Sequence, residues 1–499
     1  MPLNEPYLLL DVARMAQADQ RTIAAGTPGT ELMQRAGAAV AREIIRRWTP
    51  RPVAVLCGPG NNGGDGYVVA SLLAAQGWPV RVAALCPSAS LPDDARHHAE
   101  SWGDDVLPLE PLALEGAALV VDALFGAGLA RPLHGAAART LAAARAAGLP
   151  IVAIDIPSGV MGDSGEDLGA VGAALTVTFV RRKPGHLLMP GRTLCGEVVV
   201  ADIGIGEATV ASLGGNTWEN VPQAWRDALP LLAPDTHKYR RGHALVFGGY
   251  PMTGAARLAA MAAARAGAGL VTVAVPPEGF AIYAASLLSI MVKPCADGQA
   301  LSALLEDERH GACLLGPGAG PGPQTRRIVL AALATGRPCV LDAGALTAFR
   351  YEPHTLMQAI AGPCVLTPHE GEFARLFDAG GSKLARARLA AAQSGAVVLL
   401  KGADTVVAAP DGRAAINANA PATLATAGAG DVLAGLITGL LAQGMDAWTA
   451  ACAAAWIHGE AAAAYGPGLI ADDLPGLLPG VLARLGAPAG AAHQGPVQG

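Results

Sequence analysis

Short apolar runs alternate with Ala-rich amphipathic runs along almost the whole chain. In the first half the apolar runs are 53–57, 80–85, 118–122, 151–155, 175–180 and 197–201, and helical periodicity marks 30–48, 66–76 and 135–147. The second half repeats the scheme, with apolar runs at 244–247, 270–275, 312–315, 339–341, 364–366 and 397–400. A strand that is apolar at every position, rather than at every second one, is buried on both faces. The pattern therefore predicts an α/β protein with two largely parallel sheets, each covered by helices on both sides. Periodicity lapses across 205–234, where Gly214-Gly215 and three prolines stand. This predicts a first domain over 1–215, a linker over 216–234, a second domain over 235–485 and a disordered tail over 486–499.

Composition narrows the class. The 499 residues are too many for one core, and 52% hydrophobic against 15% charged residues excludes a disordered chain. A net charge of −6, with basic residues only in short clusters such as Arg181-Arg182-Lys183, leaves no footprint for nucleic acid. None of the eight cysteines forms a Cys-x-x-Cys pair, and several end apolar runs, so reduced, buried thiols are expected. The first residues carry no basic, signal-type segment, and Gly, Pro or charge breaks each apolar run before it reaches membrane-span length. A soluble, cytoplasmic protein is expected.

The first candidate chemistry follows the first strand, in Gly58-Pro59-Gly60-Asn61-Asn62-Gly63-Gly64-Asp65-Gly66. The spacing matches a dinucleotide fingerprint, but the second strand ends in Cys86-Pro87 and offers no acid for a ribose hydroxyl. A phosphate cradle is expected rather than a conventional Rossmann cofactor site. Asp122 and Asp155 end two further strands and lead into glycine-rich turns, the second through Pro157-Ser158-Gly159. Ligands of open α/β sheets bind at the carboxyl ends of strands, so Asn61, Asn62, Asp65, Asp122, Asp155 and Ser158 are expected to converge. Such an all-oxygen set suits a hard cation.

The second candidate is Thr426-Ala427-Gly428-Ala429-Gly430-Asp431, which runs into an apolar helical stretch. Backbone N–H groups at a helix start bind anions, so Asp431 is not a phosphate ligand but a base for a hydroxyl beside the phosphate. Lys401 ends a strand and either supplies a point charge for phosphate or caps the core edge. His369 opens a helix after a Thr-Pro turn.

These motifs carry two resemblances. Gly58–Gly66, Asp122-Ala123-Leu124-Phe125-Gly126, Asp155-Ile156-Pro157-Ser158-Gly159 and Lys183-Pro184-Gly185-His186 resemble the NAD(P)H-hydrate epimerase domain, a Rossmann-like three-layer α/β sandwich. The resemblance implies a potassium ion held by Asn62, Asp122 and Ser158. It implies substrate contacts from Asn61, Asn62, Gly63, Gly64, Asp65, Gly126, Ala127, Gly128, Leu129, Ala130, Arg131, Pro132 and Asp155. Epimerisation at C6 of the hydrated ring proceeds by ring opening or by loss and return of hydroxyl, and either route needs an acid/base group, for which Asp155 is the candidate.

His237-Lys238, Thr253–Arg257, Gly316-Pro317-Gly318-Ala319-Gly320, Thr367-Pro368-His369-Glu370-Gly371-Glu372, Lys401-Gly402-Ala403-Asp404-Thr405 and the Gly430-Asp431 motif resemble the nucleotide-dependent NAD(P)H-hydrate dehydratase, with a ribokinase-like α/β fold. The resemblance implies nucleotide contacts from Lys401, Gly402, Ala403, Asp404, Thr405 and Gly430. Contacts to the hydrate are implied for Gly254 or Ala255, Gly318, His369 and Asp431, with Asp431 as base. NADHX and NADPHX are then the substrates, ADP the phosphoryl donor and Mg²⁺ its counter-ion, and a homo-oligomer is expected. Two positions depart from the family pattern, Gly344 where an Asp is usual and Ala429 where a Thr is usual. A vitamin or sugar kinase fused to a non-catalytic binding module is the alternative.

Overall fold

The structure, a computed structural model, describes residues 7–230, 235–307 and 309–486. Its chain divides into two compact units, Met1–Trp218 and Glu219–Gly499. The segment expected to be a linker is not free chain. Asn220 and Trp225 are buried, Trp225 donates from its indole to Asn220, and Asn220 donates to Asn417 and to the Cys452 carbonyl. Residues 231–234 of that segment lie outside the described residues, as does the expected tail except for Gly486, which ends the helix Leu474–Gly486.

The first unit is built on seven strands: β1 (Val53–Cys57), β2 (Val80–Ala84), β3 (Val106–Pro108), β4 (Leu119–Ala123), β5 (Ile151–Ile154), β6 (Leu175–Phe179) and β7 (Glu197–Ala201). They pair in the order β3-β2-β1-β4-β5-β6-β7, every pair parallel. Alternate residues of β1 enter opposite cores. Val53, Val55 and Cys57 join one apolar layer with α1 (Val12–Ala24), α2 (Gly29–Arg47) and α3 (Asn61–Ala75), while Ala54 and Leu56 join another with Leu141 and Leu114. That is the physical content of a strand without polar alternation. The order reverses at β1, between β2 and β4, and opens a crevice at the carboxyl ends of β1 and β4.

In the second unit a parallel series runs Met291–Pro294, Leu270–Val275, His243–Phe247, Ala312–Leu315, Cys339–Leu341, Cys364–Leu366, Val397–Leu400. An antiparallel hairpin, Val406–Ala408 and Ala414–Ile416, extends it. Here the order reverses at His243–Phe247. The helix Ala429–Ala442 lies against Gly254–Arg265 so closely that a methyl group at Gly435 would stand 2.1 Å from the Ala259 carbonyl oxygen. The Gly- and Ala-rich composition thus serves helix-on-helix approach. All eight cysteines are free and seven are buried. Among the described residues, no helix is long and apolar enough to cross a membrane.

Candidate functional site

The crevice of the first unit is a cavity of about 930 Å³ lined by Asn61, Asn62, Asp65, Gly126 to Arg131, Asp155 and Lys183, with Asp19, Met15, Leu32 and Met33 from α1 and α2. The helix α3 begins at Asn61, five residues earlier than expected, and its N-cap Gly60 supplies no side-chain cap. Its first amides therefore face the cavity as anion donors.

Asp155 is the most constrained group. It stands past the end of β5 at φ 67°, a left-handed conformation rarely adopted by a non-glycine residue. Its Oδ2 accepts from the Ala127 amide at 3.0 Å, and its Oδ1 accepts from Thr178 Oγ1 at 2.9 Å and from Lys183 Nζ at 2.5 Å. Lys183 also donates to Thr178 at 2.9 Å and is 2% exposed. Burial would push the Asp155 carboxyl up, but the Lys183 charge and hydrogen bond, with help from the Ala127 amide, bring it down to about 2. His186 fixes the ammonium's segment. Its Nδ1 accepts from the Lys183 amide and its Nε2 donates to the Asp155 carbonyl, each at 2.9 Å. Burial and the Lys183 charge lower its pKa to about 4, so it is neutral.

Asp122 and Ser158 lie behind the cavity wall, both 1% exposed. The Ser158 hydroxyl donates to Asp122 Oδ1 at 2.7 Å, the Ser158 amide to Oδ2 at 2.9 Å, and the Phe125 amide to Ser158 Oγ at 2.9 Å. The Phe125 carbonyl is 3.2 Å from the same hydroxyl. Nearby, Asn62 Nδ2 is buried without a hydrogen-bond partner among the described residues. A carboxylate, a hydroxyl and a carbonyl drawn together make an all-oxygen set of the kind a hard cation takes, to which Asn62 could add only its carboxamide oxygen, since Nδ2 is a donor.

In the second unit the helix Ala429–Ala442 starts at Gly428, φ 90°, again without a side-chain cap. Asp431 sits in its first turn. Its carboxyl makes no hydrogen bond among the described residues, and burial, with the charges of Asp342 and Glu372 only partly opposed by Lys401, pushes it up to about 6. Lys401 Nζ donates to the buried Asp342 at 2.8 Å and lies 3.9 Å from Glu372. A methyl group at Gly430 would stand 3.3 Å from Lys401 Nζ. Although burial disfavours its charge, Asp342 holds the Lys401 ammonium above its ordinary pKa. His369 is the N-cap of the helix Glu370–Leu376. Its Nδ1 accepts from the Gly371 amide at 3.0 Å, the Glu372 carboxylate accepts from the His369 amide at 3.0 Å, and the imidazole stays more than half exposed.

Backbone meets backbone across the loops above these strands. A methyl group at Gly318, φ 72°, would stand 2.2 Å from the Met252 carbonyl, and one at Gly249 would stand 1.8 Å from the Gly318 carbonyl. At Gly344 it would meet the Ala319 carbonyl at 2.0 Å, and at Gly316 the Asp342 carbonyl at 1.7 Å.

Residues 29–185 match the family described as YjeF-related protein N-terminus, and residues 244–469 the family described as NAD(P)H-hydrate dehydratase. Over 515 residues the chain is 38% identical to the bifunctional NAD(P)H-hydrate repair enzyme Nnr of Moorella thermoacetica, across 96% of this chain and 97% of that one. The chain belongs to the bifunctional NAD(P)H-hydrate repair enzymes. The Escherichia coli K12 Nnr is 35% identical over 462 residues, 89% of this chain and 88% of its own. Among solved structures, the ADP/ATP-dependent NAD(P)H-hydrate dehydratase of Bacillus subtilis, co-crystallised with ATP/Mg²⁺, is 30% identical, with a TM-score of 0.49, over 54% of this chain and 98% of that one.

Not every residue expected at these repair sites reaches them. Gly63 and Gly64 are buried in α3 and are absent from the cavity wall, because their faces pack on the Gly58 carbonyl and on Met33 and Ala95. Pro132 is exposed beyond Arg131 and does not line the cavity. In the other unit Asp404 is spent on Lys383, which donates to it at 2.6 Å and to the Lys401 carbonyl at 3.2 Å. The Gly402 carbonyl accepts from the Thr405 hydroxyl at 2.8 Å, closing the turn that includes Ala403. Ala255 lies in the first turn of Gly254–Arg265. Lys383 and Asp19 carried no local signal, since only the tertiary fold brings them to the sites. Lys183 was visible within its motif but without a role.

An aspartate at the departing position has no room. Gly344→Asp is expected to lower the stability of the second unit by about 2 kcal/mol or more, read as a shift of its denaturant midpoint, because the new Cβ overlaps the Ala319 carbonyl.

Proposed function

We propose that the first unit interconverts the two C6 epimers of NADHX and NADPHX and that the second unit dehydrates one of them with ADP, yielding NADH or NADPH, AMP and phosphate. The observation that carries the dehydratase half is Asp431, an unbonded carboxyl with a pKa near 6, in the first turn of an uncapped helix. A group ionised at neutral pH, yet basic enough to accept a proton, suits a general base. Asp431 takes the hydroxyl proton of the hydrate, the oxygen attacks the terminal phosphoryl group of the nucleotide, and the N–H groups from Ala429 onward meet the phosphate charge. Phosphate then leaves C6 with the C–O electron pair, where hydroxide would leave poorly, and loss of a C5 proton to water forms the ring double bond. Mg²⁺ arrives with the nucleotide as part of that substrate.

In the epimerase cavity Asn62, Asp122 and Ser158 would hold a potassium ion, whose positive charge would offset that of the dinucleotide phosphates. The amides of Asn61 and Asn62 orient the pyrophosphate, and the Gly126–Arg131 turn, tied to Asp155 through Ala127, closes over the ring.

The test uses the whole chain with mixed epimers, ADP and Mg²⁺, following the absorbance of the reduced nicotinamide. A fast phase should consume one epimer and a second phase the other, faster than buffer epimerises it. A second phase at the buffer rate, with potassium present, would remove the epimerase assignment, and accumulation of a stable phosphorylated product would favour the kinase alternative.

Lys401→Ala is expected to weaken ADP binding about ten- to a hundredfold in calorimetry, the range of a lost charge-assisted contact. Removing this cation also leaves Asp431 facing Asp342 and Glu372 unopposed, so the acid limb of the dehydration rate should move to higher pH. Unchanged affinity would make Lys401 a partner of Asp342 alone.

A further inference from the structure

Six charged groups stand on the wall of the first-unit cavity: Asp19, Asp65, Asp94, Arg131, Asp155 and Lys183. Asp155 and Lys183 satisfy one another, and the Asp155 oxygens already hold three hydrogen bonds. A carboxylate so engaged is a poor proton carrier. Asp19, on α1, and Asp65, in the first turns of α3, are different. Neither carboxyl has a hydrogen-bond partner among the described residues, both border the cavity, and they come from helices on the same face of the sheet.

We propose that Asp19 and Asp65 are the proton-transferring pair of the epimerase, acting by ring opening, with Asp155 and Lys183 as a fixed, ionised support. This rests on the epimerase assignment above. The charge count favours it. All four line the same cavity, where Asp19 feels the charges of Lys183 and Asp155 and Asp65 those of Asp155 and Asp19, so one buried ammonium stands against three carboxyls. They cannot all ionise cheaply, and one proton is retained between Asp19 and Asp65. Burial, only partly offset by Lys183 and reinforced by Asp155, raises Asp19 to about 6, while burial and the charges of Asp155 and Asp19 raise Asp65 well above the ordinary carboxylate range.

The chemistry balances with one carboxylate and one carboxylic acid. The carboxylate takes the C6 hydroxyl proton and the oxygen becomes a carbonyl. The C6–N1 bond breaks with its electron pair going to N1, and the carboxylic acid gives its proton to N1. After the aldehyde rotates, the N1 pair attacks its other face. The N1 proton returns to one carboxylate, and the other carboxyl reprotonates the oxygen. The pair ends with the single proton it began with, and no external acid or oxidant is required. Loss and return of hydroxide would ask for one acid near the oxygen and leaves the second carboxyl unused.

The experiment uses full-length Asp19→Asn, Asp65→Asn and Asp19→Glu, with epimerisation followed by chiral separation of the two hydrates in the absence of nucleotide. Both asparagine variants should lose about a hundredfold or more in kcat, the contribution typical of one proton carrier, with KM little changed. The acid limb of the wild-type profile should disappear in Asp19→Asn and partly return in Asp19→Glu. Urea unfolding followed by a probe in the first unit reports that this unit is folded in each variant, and dehydration of the pure reactive epimer reports the same for the second unit. If the wild type accelerates epimerisation but Asp19→Asn matches it, or if only KM rises, the proposal fails while the epimerase assignment stands. If the wild type itself gives no acceleration, the assignment fails first.

Discussion

Replacing Asp431 by asparagine is expected to stop dehydration while leaving nucleotide binding almost intact. The carboxyl lies in the first turn of the uncapped helix Ala429–Ala442 and takes part in no hydrogen bond among the described residues, so the amide fits the same space without breaking a contact. What disappears is basicity. Turnover should fall about a thousandfold, within the span that a general base contributes, and ADP affinity should change by no more than a few-fold. In the wild type the rate should fall as pH drops through about 6, because burial and the charges of Asp342 and Glu372 keep Asp431 protonated below that point. The variant's residual rate should lack that limb. Near-normal turnover in Asp431→Asn would overturn the role.

The second large effect concerns Lys183→Met. The pair Lys183–Asp155 is buried, and removing one partner leaves an uncompensated charge, a loss of about 3–5 kcal/mol. In the wild type the Asp155 pKa is depressed to about 2, so its contribution to stability is present above the ordinary carboxylate pKa and is lost as pH falls through about 2. Without Lys183, burial governs and the folded-state pKa lies above the unfolded one. The sign reverses, and the variant's deficit grows as pH rises from mildly acid to neutral. Urea unfolding at the two conditions, monitored by a probe in the first unit, reads both. A deficit independent of pH would mean that lost packing, not the stranded carboxylate, dominates.

The sheets were legible because their strands are apolar on both faces, as the split of β1 between two cores shows. The hairpin Val406–Ala408 and Ala414–Ile416 escaped notice since alanines dilute its strand character, although Pro410-Asp411-Gly412 marks a turn between the strands. Asp122, Asp155 and Asp431 could be found as acids at strand ends and a helix start. Asp19 could not, because a single acid on an amphipathic helix looks like solvated surface until the fold turns it toward the cavity. Gly63 and Gly64 show that a motif does not say which of its residues pack and which face a ligand. Their motif marks a binding loop, yet their hydrogens are required where α3 packs on its neighbours.

The interlocked loops of the second unit bear on how its specificity can change. Gly249, Gly316, Gly318 and Gly344 each approach a neighbouring carbonyl more closely than any side chain allows. Exchanging any one of these four glycines would force backbone apart rather than add a usable side chain beside the site. Adaptive paths to a different hydrated cofactor must therefore run through side chains that border the loops without entering them, such as Ala255 and the half-exposed imidazole of His369. The glycine scaffold itself behaves as one heritable block, changed together or not at all.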